Sequence, residues 1–192
     1  TVKFVSNLCA KLLRAPELRE LFLPGSMCLS TVTDTGEPNA RIVIMKGLSD
    51  NRFTFYTHHE SRKGVELAKD NRVHLTFHWR LPPRQIRVSG TASKMSREES
   101  EKYWNTRPRE SQISASISPQ SQTIRSFALL EKSHRDFAEG MKGKPIPCPE
   151  NWGGYFVTPH RFEFWEGRFG RLHSRRVFAW KEKKWQSSEL AP

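Results

Sequence analysis

The sequence predicts a mainly β protein with peripheral helices, an α+β chain whose strands curl into a closed or nearly closed antiparallel barrel. Three observations carry this. The runs MCLSTVT, ARIVIMKGL, NRFTFYT, RVHLTFHW and RQIRVSGTASKM follow one another within roughly seventy residues, joined mostly by short turns. Helical patterns are confined to stretches before, between and after these runs. No repeat, low-complexity segment or linker divides the 192 residues, so 1–192 reads as one domain long enough to bury a core.

Phe4, Leu8, Leu12 and Leu13 recur at three- and four-residue steps, which predicts a helix over 4–22 with Pro16 as a potential breaker. Pro24-Gly25 punctuates the chain. MCLSTVT and ARIVIMKGL flank Asp34-Thr35-Gly36 and read as a hairpin, and NRFTFYT is a third strand. SRKGVELAKDN is a short helix, followed by two further strands. Ser96 and Glu99 form a capping box that starts a helix running to about Thr106. Pro108 holds Arg107 extended and opens a second helix at its first position. Residues 126–140 read as another helix, KGKPIPCPENW as a Pro-rich loop, and GYFVTPHRFEFW and RRVFAWKEKKWQSSEL as two final strands.

Composition narrows the function. Thirty-two basic and 20 acidic residues give a net charge of +12, which favours anionic partners. The basic residues are scattered, and no zinc finger, aromatic RNA motif or basic helix stands out, so nucleic acid is not the partner predicted. No apolar run approaches the ~18 residues of a membrane span, and the first residues lack a signal-peptide pattern. Cys9, Cys28 and Cys148 form no CxxC pair or disulfide framework, which fits a reducing, cytoplasmic setting. His74 and His78 are four apart, but on a strand and without an acid or Cys nearby, so no metal site is predicted. The chain starts at Thr1 rather than Met, which reads as an N-terminal piece left out.

The chemistry is densest in YWNTRPRESQISASISPQS, residues 103–121, where Glu110 is the only acid. Arg forks match phosphate oxygens in pairs, and Ser, Tyr and Gln complete such a site without adding negative charge. Tyr103 and Arg107 stand one helical turn apart and can reach one phosphate. SRKG at 61–64 lies between a strand and a helix, where free backbone N–H groups suit an anion, with Ser61, Arg62, Lys63 and the preceding Thr57 beside them. An ordinary capped helix start explains that segment equally well. Arg41 and Lys46 bracket RIVIMK, and their five-residue separation puts them on opposite faces of an ideal strand. Gln85, Arg87 and Ser89 share one face of RQIRVSG, able to meet a heterocycle or water. Trp165, Arg171, His173 and Arg175 fall within eleven residues, with Arg171 and His173 alternating about Leu172.

In order, RIVIMKG, FTFYT with ESRKG, RQIRVSG, YWNTRPRESQI, SPQSQ, WGGY, EFWEG, RLH and the closing LAP resemble the pyridoxamine 5′-phosphate oxidase family, from about Met27 to Pro192. The resemblance implies an FMN-binding split barrel that forms a homodimer with flavin sites built from both subunits. It implies FMN contacts at Arg41, Ile42, Val43, Ile44, Tyr56, Thr57, Arg62, Lys63, Gln85, Gln120, Ser121, Trp165 and Arg175. Lys46, Tyr103, Arg107 and Ser111 would hold the phosphate of a small phosphorylated pyridine, with Arg171, Leu172 and His173 along its ring and Arg171 and His173 near the reacting carbon. The implied reaction oxidises pyridoxamine or pyridoxine phosphate to pyridoxal phosphate, with O2 reduced to peroxide. The chain departs from the family at Ser174, where Asp is usual, at His58-His59, and at Ser114, where Gly is usual. The rivals are an FMN oxidase of the phenazine-pathway type, which would not need the Tyr103–Arg107–Ser111 set, and a non-catalytic flavin or pyridoxal-phosphate carrier.

Overall fold

The computed structural model describes residues 25–192. The helix expected over 4–22 lies outside them. Nine strands form one antiparallel sheet among the described residues: β1 Ser26–Val32, β2 Pro38–Ile44, β3 Gly47–Ser49, β4 Arg52–His58, β5 Arg72–Trp79, β6 Arg84–Lys94, β7 Trp152–Glu166, β8 Ser174–Lys181 and β9 Lys184–Glu189. Four helices accompany it: α1 Arg62–Lys69, α2 Arg97–Trp104, α3 Arg109–Ile117 and α4 Phe127–Gly140.

The strand order is β2-β1-β5-β6-β7-β4-β3, with β8 and β9 continuing from β7. The 38–49 segment pairs with β1 along β2 and with β4 along β3. Between them, Met45 N–H donates to Gly25 O at 2.9 Å and Lys46 N–H to Thr54 O at 2.8 Å. Successive amides of an extended chain point to opposite sides, so this short stretch ties the two ends of the sheet together. The predicted barrel is therefore built, with one strand shared between two partners.

Alternation places the core. On β5, Val73, Leu75, Phe77 and Trp79 are buried while His74, Thr76 and His78 take the other face. Met27, Leu29, Phe53, Phe55, Ile86, Val88, Val157 and Phe162 fill the same interior. A second, smaller cluster of Trp104, Ile113, Ile146 and Trp152 seats α2 and α3 on the start of β7. There the Trp104 indole N–H donates to Ile146 O at 2.8 Å.

The local signals of the sequence act as written. Ser96 accepts from Glu99 N–H while the Glu99 carboxylate accepts from Ser96 N–H, closing the capping box of α2. Pro108 stands one position earlier than predicted, as the N-cap of α3 rather than its first residue. One expectation is corrected: RRVFAWKEKKWQSSEL is two strands. Glu182 and Lys183 adopt φ of 51° and 59°, which turns the chain into a β8–β9 hairpin. A two-residue turn with both φ positive matches strand twist, but Gly and Asn are its usual markers and neither is present.

Gly64 sits where α1 meets the end of β4. A Cβ there would lie 2.2 Å from His59 O and 2.7 Å from His58 O, both backbone atoms. Gly64→Ala is expected to destabilise the fold by about 1–3 kcal/mol, as overpacking against unyielding backbone does. Urea unfolding that leaves the midpoint unchanged would contradict this.

Candidate functional site

A cleft of about 690 Å³ opens beside β2, within the range of small-molecule sites. The split of the sheet exposes β2 there, and Arg41, Ile42, Val43, Ile44 and Lys46 form one wall. The end of β4 adds Tyr56, Thr57 and His58, α1 adds Lys63, and Trp152 enters from β7. Tyr103, Arg107, Ser111, Ser114 and Gln120 close the opposite side. Twelve of the twenty predicted site residues thus line one cavity. Arg41 and Lys46 do so together, because regular strand geometry stops at Ile44 and the parity expected of an ideal strand is lost.

One end of the cleft is a polar nest at the start of α1. Ser61 caps the helix, its hydroxyl accepting from Gly64 N–H and donating to His58 O. Lys63 Nζ donates to Thr57 Oγ1 at 3.1 Å, Gln120 Oε1 at 3.3 Å and Ser61 Oγ at 3.4 Å. Thr57 also donates to Gln120 Oε1 at 2.8 Å. Burial, reinforced by the Arg41 cation, holds the Lys63 ammonium below its ordinary pKa. The nest is therefore short of negative charge, and an anion would relieve it.

The other end is aromatic and cationic. The rings of Tyr56 and Tyr103 stack at 3.9 Å, and Tyr56 stacks on Trp152 at 5.4 Å. Burial, then the neighbouring Tyr103, pushes the Tyr56 phenol up to about 12, so it stays neutral. The Arg107 guanidinium lies 4.6 Å over Trp152 and 5.1 Å from Trp104. Its Nη1 is buried and has no hydrogen-bond partner. A buried guanidinium N–H without an acceptor is costly, and burial lowers the pKa of this group. Tyr103, Ser111 and Lys46 line the cleft with Arg107, and an oxyanion there would supply the missing acceptor.

Behind the nest, Glu66 is only 4% exposed and carries four hydrogen bonds, from Thr31, Asn39, Arg41 and Arg62. Burial opposes its ionisation, but these donors outweigh it and pull the carboxyl down to about 2. Arg62 and Ser121 line a neighbouring recess with Glu66 rather than the cleft itself. A further recess of about 750 Å³, bounded by Leu67–Arg72, Ala92–Lys94 and Tyr155, has no such convergence, since its Asp70 is committed to Arg72.

Gln85, Trp165, Arg171, Leu172, His173 and Arg175 do not reach the cleft of the same chain. They gather around the far end of β6, β7 and β8, where Trp165 pairs in register with both Gln85 and Arg175. Trp165 and His173 rings lie 4.7 Å apart. Arg168 N–H donates to His173 Nδ1, which leaves the proton of the neutral ring on Nε2. Arg171 ends a short helical turn, Phe169–Arg171, with φ of 62°, and Leu172 is 74% exposed. Arg175 is bound to the buried Glu163, which also takes Arg87 and Arg161. His74 meets Ser89 and Arg87, and among the described residues no group of three or more His, Cys, Asp or Glu side chains is placed to hold a metal ion.

Sequence reasoning missed Trp152 and His58 in the cleft, and the two buried carboxylates. WGGY was visible as a motif, but the place of Trp152 beneath Arg107 depends on α2 docking on β7. For Glu66 the signal was its position four residues after Arg62 on α1, an ion-pair spacing. For Glu163 there was none.

The folding of the sheet around this cleft defines a class. The structure is similar to PhzG from Burkholderia lata 383, solved in complex with tetrahydrophenazine-1-carboxylic acid, with a TM-score of 0.93, 27% identity, and 98% of this chain and 92% of that chain covered. A pyridoxamine 5′-phosphate oxidase-related, FMN-binding protein from Nostoc punctiforme shares the fold at a TM-score of 0.78 and 17% identity, over 97% and 96% of the two chains. These are split barrels. Residues 15–137 match the family described as pyridoxamine 5′-phosphate oxidase, and residues 152–192 match the pyridoxine 5′-phosphate oxidase C-terminal dimerisation region. The chain belongs to the pyridoxamine 5′-phosphate oxidase family. A pyridoxine/pyridoxamine 5′-phosphate oxidase of Leptospira biflexa is 47% identical over 88% of this chain and 80% of its own length. One from Bacteroides thetaiotaomicron is 45% identical over the same shares.

The titrating groups set a pH dependence of stability. Burial holds His58, His59 and His74 below 6.5 in the fold, so the unfolded chain takes up their protons first. Stability from these rings is whole above pH 6.5 and declines as the pH falls below it. Glu66, drawn from 4.5 to about 2, adds a second loss as the pH falls from 4.5 towards 2. Urea midpoints are expected to fall between pH 7.5 and 5.5, and midpoints that rise over that range would contradict the assignment.

Proposed function

We propose that the protein is an FMN-dependent oxidase that converts pyridoxamine 5′-phosphate or pyridoxine 5′-phosphate to pyridoxal 5′-phosphate. O2 is the acceptor, H2O2 is released, and the amine substrate also yields ammonia. The carrying observation is the pair of anion-ready ends in one cleft: the Thr57–Ser61–Lys63–Gln120 nest and the orphaned Arg107 with Tyr103, Ser111 and Lys46. Two phosphates, one on the cofactor and one on the substrate, account for both. The identity of 43–47% to curated oxidases of this specificity supports the same reading.

The donor set fits FMN. Arg41, Thr57, Arg62, Lys63, Gln120 and Ser121 would hold its phosphate end, with Ile42, Val43, Ile44 and Tyr56 along the ring. When bound, FMN supplies the electron acceptor and its reoxidation by O2. The protein supplies position and charge. Lys46, Tyr103, Arg107 and Ser111 bind the substrate phosphate and fix the distance from it to the reacting carbon. Gln85, Trp165, Arg171, Leu172, His173 and Arg175 stand apart from the cleft of their own chain, so a second copy would bring them to it. The match of residues 152–192 to a dimerisation region supports a homodimer. In that arrangement Arg171 and His173 would flank the substrate ring, with the His173 Nε2 proton available as a donor. No helix among the described residues is long and apolar enough to cross a membrane, and the free Cys28 and Cys148 fit a cytoplasmic enzyme.

The likeness to PhzG raises a second reading, oxidation of a bulkier ring without phosphate. The Tyr103–Arg107–Ser111 set favours the phosphorylated pyridine. Visible spectra of the reconstituted protein decide between them. Anaerobic pyridoxamine phosphate is expected to bleach the flavin band. Bleaching by tetrahydrophenazine-1-carboxylic acid alone would support the PhzG-like reading, and FMN retained without bleaching by either would support a carrier.

Two variants separate the roles. Arg107→Ala removes a contact present in ground and transition states alike, so KM is expected to rise by about one to two decades with kcat nearly unchanged. Arg171→Ala is expected to lower kcat with a smaller effect on KM. Flavin content stays normal in both, and loss of FMN from Arg107→Ala, or full kcat in Arg171→Ala, would overturn the site map.

A further inference from the structure

We propose that Glu66 is a positioning residue for the flavin phosphate: its buried carboxylate ties Arg41 of β2 to Arg62 of α1 and sets the direction from which both guanidiniums meet the anion. This rests on the assignment of FMN to the cleft. Neither Arg is placed by its own element. Arg41 projects from an exposed edge of the sheet, and Arg62 is the first residue of a helix, with its side chain 66% exposed. Long side chains in such places lose rotamer freedom when they bind, unless something holds them beforehand.

Glu66 does so through both oxygens. Oε2 accepts from Arg41 Nη2 at 2.9 Å and from the Thr31 hydroxyl at 2.5 Å. Oε1 accepts from Arg62 Nε at 3.0 Å and from Asn39 Nδ2 at 2.8 Å. Thr31 completes a loop by accepting from Arg41 Nη1, which also donates to Leu29 O. Arg62 is held by Nε, so its two Nη groups, which make no hydrogen bond among the described residues, keep the paired geometry that suits phosphate. The carboxylate is locked by Thr31 and Asn39 from two neighbouring strands, so it cannot follow the arginines if they move. Glu66 does not line the cleft itself but borders the recess beside it, together with Arg62.

Two opposite effects follow from removing it. Loss of a negative charge near Arg41, Arg62 and Lys63 makes the region more positive, which by itself strengthens anion binding. Loss of the anchor frees two guanidiniums, which weakens it. Charge-assisted bonds depend steeply on geometry, so the loss of anchoring is the larger effect.

Riboflavin, which lacks the phosphate, separates positioning from general damage to the fold. The full chain, stripped of flavin, is titrated with FMN and with riboflavin by fluorescence quenching. In the parent protein FMN binds more tightly, and the ratio of the two Kd values measures the phosphate contacts. In Glu66→Gln the Kd for FMN is expected to rise about tenfold, the worth of one charge-assisted contact, while that for riboflavin changes less than about twofold. Asn39→Ala loosens the carboxylate but leaves it and both arginines in place, and is expected to shift the ratio in the same direction by about two- to threefold. It decides the matter if Glu66→Gln does not fold. An unchanged ratio, an equal loss for both flavins, or tighter FMN binding overturns the proposal. A parent protein that binds neither flavin, or binds both equally, instead overturns the assignment of FMN to the cleft.

Discussion

The shared strand over residues 38–49 is the constraint on which the rest of the structure depends. It pairs with β1 before Met45 and with β4 after Lys46, so it both closes the barrel and leaves the β2 edge open beyond the closure. An edge with unpaired backbone groups is usually a liability. Here it forms a wall of the cleft, and the helices α2 and α3 close the opposite side. The same departure from regular strand geometry lets Arg41 and Lys46 serve one cavity despite their odd spacing. Core packing and site construction are therefore one event: Phe53 and Phe55 fix β4 in the interior, and its last residues, Tyr56, Thr57 and His58, are delivered to the cleft.

Charge is distributed to match. A net charge of +12 would oppose folding if it were concentrated without counter-ions. Two buried carboxylates organise much of the site-related share. Glu66 gathers Arg41 and Arg62, and Glu163, 2% exposed, gathers Arg87, Arg161 and Arg175. A buried carboxylate is costly unless fully hydrogen-bonded, and both are. Each leaves a surplus of positive charge in a defined direction, one beside the cleft and one on the sheet face that carries Trp165 and His173. Arg107 is the exception: it rests on the faces of Trp104 and Trp152, which attract a cation without occupying its N–H groups.

Much of the fold was legible because its signals are local. Strict alternation in RVHLTFHW, the Ser96–Glu99 box and the turn at Asp34-Thr35-Gly36 each depend on neighbours in sequence, and each element appears where those residues put it. The β8–β9 hairpin was hidden because Glu182 and Lys183 take up positive φ without Gly or Asn to announce it. In the site, Thr57, Lys63, Tyr103, Arg107 and Gln120 were legible by residue type and spacing. Glu66 was half legible, since Arg62 is one turn away on its own helix but Thr31, Asn39 and Arg41 are brought to it from the sheet. Glu163 was illegible, as an acid between two Phe residues carries no sign that three arginines converge on it.

By itself the sequence determined the family, the order of strands and helices along the chain, and the kinds of group in the site. Those follow from residue identity, short-range periodicity and the chemistry of individual side chains. The tertiary structure decided which of those groups share a cavity. Arg62 and Ser121 stand in the recess beside it, and the segment from Trp165 to Arg175 stands on another face altogether. The reason is that tertiary packing is non-local: docking of the turn after α3 against the end of β4 brings together Thr57 and Gln120, sixty-three positions apart, and no local pattern encodes that meeting.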